Sequence, residues 1–115
     1  MSRRTQRIES LIQIELGETI LRKLKDPRIG FVTVTGVEVT PDLKLAQVYY
    51  SVLGKEKEKR DAARGLEHAA GFLQHAIAEA LKLRFTPKLT FHLDESLEEG
   101  MRIDRIFHEL KNKEN

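Results

Sequence analysis

From Lys57 to Leu83 the apolar residues Ala63, Leu66, Ala70, Leu73, Ile77 and Leu81 recur every three or four positions, the spacing of one helix face. No other feature of the chain limits its fold so strongly. Gly65 and Gly71 interrupt the pattern and Pro87 closes it. Leu89, Phe91 and Leu93 then alternate with Lys88, Thr90 and His92, the pattern of a half-buried strand. A long helix therefore precedes a strand, and whatever comes before the helix must be arranged around it.

What comes before is a helix and two strands. Ile8, Leu11, Ile12, Leu16, Ile20 and Leu24 line one side of a predicted helix over 4–24, which Asp26-Pro27 stops, because a residue before proline is pushed out of helical geometry. Over 31–40 Val32 and Val34 occupy even positions but Val37 and Val39 odd ones. One extra residue in a strand flips its faces, so a β-bulge is predicted at Gly36. Thr40-Pro41-Asp42-Leu43 supplies a turn, and Ala46, Val48, Tyr50 and Val52 share a face of the returning strand over 45–53. The order predicts an α+β domain: three strands in one sheet with the helices on one face, the third strand parallel to the first. Ser96 and Glu99 match a capping box, and Leu97, Met101, Ile106, Phe107 and Leu110 then predict a short C-terminal helix.

A length of 115 residues suits one domain, 1–115, with a core over about 4–94 and a helical tail over about 96–111. There are no cysteines, which excludes disulfides, thiolate metal sites and a cysteine nucleophile. Glu9, Gln13, Glu15 and Glu18 break any signal-type apolar run near the N-terminus, and no run approaches the ~18 residues of a membrane span, so the chain is expected to be cytoplasmic with no membrane partner.

Catalytic signatures are missing. His68 and His75 stand seven apart, two helical turns, with no carboxylate pair in metal-binding spacing. Ser51 and Ser96 lack the glycines of a nucleophile elbow. Asp94, Glu95, Glu98 and Glu99 suit a helix N-terminus, where negative charge meets the positive end of the dipole. No glycine-rich phosphate loop or dinucleotide fingerprint occurs. The expectation is a chain without enzymatic activity, metal or cofactor.

Charge points elsewhere. Residues 1–93 hold 16 Lys and Arg against 11 Asp and Glu, whereas 94–115 hold 4 against 7. A basic body with an acidic end fits a surface that binds a polyanion, as it fits uneven solvation. Arg4, Arg7, Lys25, Arg28, Arg64, Arg84 and Lys88 are the cations expected to reach phosphate, which needs charges that converge in the fold. Tyr49 and Tyr50 point to opposite sheet faces, so at most one is open for stacking, and recognition of phosphate and shape is expected over a base-stacking sheet.

Several stretches resemble a known family. Lys25-Asp26-Pro27-Arg28-Ile29-Gly30 followed by Val34-Thr35-Gly36-Val37-Glu38-Val39 is similar to bacterial ribosome-binding factor A. So are Asp42-Leu43-Lys44-Leu45-Ala46-Gln47-Val48-Tyr49, Leu83-Arg84-Phe85-Thr86-Pro87-Lys88-Leu89-Thr90-Phe91 and Asp94-Glu95-Ser96-Leu97-Glu98-Glu99-Gly100-Met101-Arg102-Ile103, in order over most of 4–107.

The resemblance implies a type II K-homology-like fold, α-β-β-α(kinked)-β. It also implies binding to the immature small ribosomal subunit and its ribosomal RNA during late maturation and RNA processing, with a role in growth in the cold; a monomer is expected. An assembly GTPase could drive release. Ordinary K-homology domains place Gly-x-x-Gly between two helices, and here Ala69-Ala70-Gly71 stands in its place. That predicts a kink within one long helix, eased by Gly71. Ala69, Ala70 and Gly71 join the expected RNA-binding set, and tight helix packing is the other use for their small size. A protein-binding adaptor that engages a ribosomal protein or assembly factor is the alternative function.

Overall fold

The computed structural model describes residues 3–95. Helix α1 (Arg3–Arg22) is followed by a single 3-10 turn (Pro27–Ile29), strands β1 (Val32–Val39) and β2 (Leu45–Val52), helix α2 (Glu56–Leu81) and strand β3 (Lys88–Leu93). The predicted C-terminal helix over 96–111 lies outside the described residues.

The three strands form one mixed sheet with β2 in the centre. β1 pairs antiparallel to β2, from Val32 opposite Val52 to Val39 opposite Ala46. β3 pairs parallel to β2, from Leu45 opposite Lys88 to Tyr50 opposite Leu93. This corrects the expected direction of the third strand: β3 runs with β2 and against β1. A 26-residue helix brings the chain back to the end of the sheet where β2 began, so β3 lies beside β2 in the same direction, the usual outcome of a strand–helix–strand crossover.

The parity change in β1 is absorbed by a bulge. The register steps from Val34 opposite Tyr50 to Gly36 opposite Tyr49, which leaves Thr35 as the extra residue. Val32, Val34, Val37 and Val39 then oppose Val52, Tyr50, Val48 and Ala46, every one an even-numbered residue of β2. One apolar face results from a sequence whose alternation is broken.

Both helices pack on that face. Ile8, Ile12, Leu16 and Ile20 of α1, Ala62, Leu66, Leu73 and Ile77 of α2, and Val37, Val39, Ala46, Val48, Tyr50 and Leu89 of the sheet form the core with Ile29. Leu11, expected inside, is exposed, and on α2 it is Ala62 that is buried where Ala63 was expected. The face of α2 is thus rotated slightly from the one its larger residues suggest, which brings Gly65 inward. A Cβ at Gly65 would stand 2.7 Å from Ile29 Cγ2 and 3.3 Å from Arg28 Cβ. The missing side chain lets the 26–30 loop lie directly on α2.

α1 also closes the free edge of β1. Val39 N donates to Glu9 Oε2 at 2.8 Å, and Gln13 Nε2 donates to Val34 O at 3.4 Å. Side chains of α1 so take up backbone groups that an edge strand would otherwise offer to another chain.

Candidate nucleic-acid interface

The expected cations fall into two groups, one beside the first half of α2 and one past its C-terminal end. The first lies where the 26–30 loop crosses the helix. Pro27 opens the 3-10 turn, with Asp26 as its cap: Asp26 Oδ1 accepts from Arg28 N at 2.9 Å. The same carboxylate holds the Arg28 guanidinium, with Nη2 2.6 Å from Oδ2 and Nε 3.0 Å from Oδ1. The Arg28 side chain and its backbone N–H hold the Asp26 pKa down at about 2. Arg28 is therefore present as half of an ion pair, and a phosphate would have to share it with Asp26. Lys25 precedes this pair and Arg64 lies beside Gly65, both exposed.

The outward side of α2 continues from Arg64. Arg64 and Gly71 are seven residues apart and so lie on one face, with the exposed His68 and His75 alongside. The helix runs unbroken through Ala69, Ala70 and Gly71, with no loop between two shorter helices. The three small residues do different things. Ala69 packs against the core, and Ala70 is half-buried. A Cβ at Gly71 would meet nothing within 4 Å. Tight packing therefore accounts for Ala69 but not for Gly71, which leaves bare helix backbone at the surface, beside a half-exposed Phe72 and one turn from His75, itself 3.1 Å from Glu79 Oε1.

The second group surrounds a cleft of about 430 Å³ lined by Arg4, Ile8, Asp42, Leu43, Lys44, Leu83, Arg84, Phe85, Thr86 and Pro87. α1 brings Arg4, the β1–β2 turn brings Lys44, and the segment after α2 brings Arg84. Lys88 opens β3 at the same end, its N–H bonded to Lys44 O at 2.9 Å. Its exposed side chain lies on the sheet face opposite the buried Leu89. Arg7 stands one turn along α1 from Arg4 and outside this lining. From Arg64 to the end of α2 at Leu81 is about 25 Å at 1.5 Å per residue. Six of the seven cations thus fall at two places and not one, Lys25, Arg28 and Arg64 at the first and Arg4, Arg84 and Lys88 at the second, with Arg7 apart from both.

Lys44 and Phe85 belong to the second patch without having been legible as site residues. A lysine in a turn reads as solubilising, and a phenylalanine between Arg84 and Thr86 reads as core. Only their shared cleft, across 41 positions of sequence, gives them a joint role.

The face of the sheet away from the helices carries Thr33, Glu38, Gln47, Tyr49 and His92. Tyr50 is buried and Tyr49 half-buried on the opposite side, as their adjacency predicts. The Tyr49 and His92 rings lie 5.5 Å apart, while the Tyr49 hydroxyl donates to Gln47 Oε1 at 3.1 Å, with Glu38 Oε2 3.4 Å away. Partial burial and the Glu38 charge push the Tyr49 pKa up. A carboxylate stands at the hydroxyl of the ring that would have to stack, which disfavours base stacking on this face. Among the described residues, no group of three or more metal-ligating side chains comes together and no helix is long and apolar enough to cross a membrane.

The family model for ribosome-binding factor A matches residues 4–107. Solved structures agree in fold. The crystal structure of ribosome-binding factor A from Thermus thermophilus superposes with a TM-score of 0.69 at 29% identity, covering 77% of this chain and 94% of that one. The solution NMR structure of a Thermotoga maritima protein described as a putative ribosome-binding factor A gives 0.72 at 37% identity, over 84% and 92%. A homology model of the Thermus thermophilus factor, fitted into a cryo-EM map of its complex with the 30S subunit, gives 0.65 at 28% identity, over 77% and 93%.

Proposed function

The chain belongs to the ribosome-binding factor A family, and we propose that it binds the immature small ribosomal subunit and its ribosomal RNA to support late maturation and RNA processing. The observation that carries this reading is the placing of cations at two points, beside α2 at Arg64 and past its C-terminal end, with bare backbone at Gly71 between them. Arg64 and Gly71 share its outer face, and Arg4, Lys44 and Arg84 gather around the cleft past its end. Phosphate oxygens are recognised by cations and by backbone that a ribose-phosphate chain can approach closely, and both are offered along this helix.

The factor acts by binding energy alone in the cytoplasm. It holds an RNA segment in one arrangement until the subunit matures, then leaves, with an assembly GTPase as a candidate for driving release. Arg64, Arg84, Arg4, Lys25 and Lys88 supply the phosphate contacts, with Gly71 as the point of backbone approach; Arg28 contributes through its pair with Asp26, and Arg7 from the flank of α1. Cofactor and metal have no part in this.

A second reading has its own support. Ile14 and Leu21 of α1 stand exposed in a groove beside Val32 and Val34, and Phe31 and Leu53 are exposed at the adjoining sheet end. An apolar strip of this kind suits an adaptor that engages a ribosomal protein or an assembly factor. Sedimentation of cell extract on a sucrose gradient tests the main reading. The chain is expected with free small subunits and absent from translating ribosomes; migration at the top of the gradient, or equally with all ribosomal species, counts against it.

A further inference from the structure

The cleft at the end of α2 is built with more than phosphate binding requires. Its floor is apolar, with Ile8 and Pro87 buried and Leu43 half-buried. Leu43 packs there at φ 61°, a backbone conformation that glycine or asparagine adopts far more readily than leucine. On the lip, Phe85 is 75% exposed, and the Arg84 guanidinium lies 5.6 Å from its ring centroid. Arg4 and Lys44 complete the rim. The one carboxylate in the lining, Asp42, is committed to its own turn, accepting from Thr40 Oγ1 at 2.7 Å and from Lys44 N at 3.1 Å. A volume of about 430 Å³ lies within the range of pockets that hold small organic groups.

An exposed ring face, an apolar floor and three cations around one engaged carboxylate match an aromatic base with its phosphates. They do not match a duplex, whose bases are stacked on each other and unavailable to a side-chain ring. We propose that this cleft receives one unpaired nucleotide of RNA, its base stacked on Phe85 and its flanking phosphates held by Arg4, Lys44 and Arg84. The proposal rests on the reading that the chain binds small-subunit RNA, and it specifies which form of that RNA meets this end of the molecule.

The test uses the full chain with two probes, fluorescein-labelled hexauridine and a short RNA duplex, and with purified small subunits in parallel. Phe85→Leu keeps the apolar bulk and loses the ring face, and Phe85→Trp enlarges that face. The expected result is a loss on the order of tenfold in hexauridine affinity for Phe85→Leu and recovery in Phe85→Trp, with duplex affinity and melting temperature unchanged in both. Wild-type affinity for hexauridine in Phe85→Leu, or equal losses on both probes, overturns the proposal. So does a wild-type chain that sediments with small subunits yet ignores hexauridine, an outcome that leaves the family reading standing. A chain that binds neither subunits nor hexauridine overturns the two together.

Discussion

Two glycines of α2 look alike in sequence and differ in what surrounds them. Gly65 lies under the 26–30 loop, so Gly65→Ala must displace Ile29 and Arg28; it should cost ~1–3 kcal/mol, read as a lower midpoint in urea. Gly71 faces open space, so Gly71→Ala should stabilise the helix by up to ~1 kcal/mol while weakening association with small subunits. The opposite signs check the two environments in one pair of titrations. Asp26 adds a pH-dependent prediction. Its folded pKa of about 2 lies below the ordinary 3.8, so its contribution is present above 3.8 and is lost as pH falls through about 2. The stability gap between wild type and Asp26→Ala should therefore be constant at neutral pH and close over that acid window, whereas a gap that persists below it would mean the carboxylate charge is not what stabilises the turn.

Among the elements, β1 shows why some of the fold was legible and some was not. The parity change between Val34 and Val37 is a local pattern, and it pointed to the bulge at Gly36, with Thr35 as the residue pushed out. Strand existence and the ends of both helices follow from equally local signals, the apolar period and the prolines Pro27 and Pro87. Which strand lies beside β3 is not local: it depends on where the crossover of α2 lands, and the expected partner direction was wrong for that reason. Gly65 read as an interruption because its contact, Ile29, is 36 positions away. The closure of the β1 edge by α1 is likewise a tertiary fact. Glu9→Ala should release the Val39 amide, costing ~1–2 kcal/mol and speeding its hydrogen exchange more than that of amides in β2. Equal protection in wild type and variant would show that Glu9 leaves the edge as it found it.

At the scale of the molecule, the cations legible in sequence proved to be real surface charge but not one patch. Convergence depends on the packing of α1, the turn after β1 and the segment after α2, which no spacing reveals; hence Lys44 and Phe85 were passed over, while Arg28, expected to reach phosphate, is held by Asp26 two residues before it. Two separate groups of cations suit phosphate contacts at two points, and such contacts release counterions, so affinity should fall steeply as salt rises. The most direct measurement is equilibrium binding of the full chain to purified small ribosomal subunits across a salt series, for wild type and for the Arg64→Glu, Arg84→Glu double variant. Neither side chain is buried in the core, so the variant should melt as wild type does while losing at least about tenfold in affinity and part of the salt slope. A folded double variant that binds with wild-type affinity and wild-type salt dependence would contradict the account.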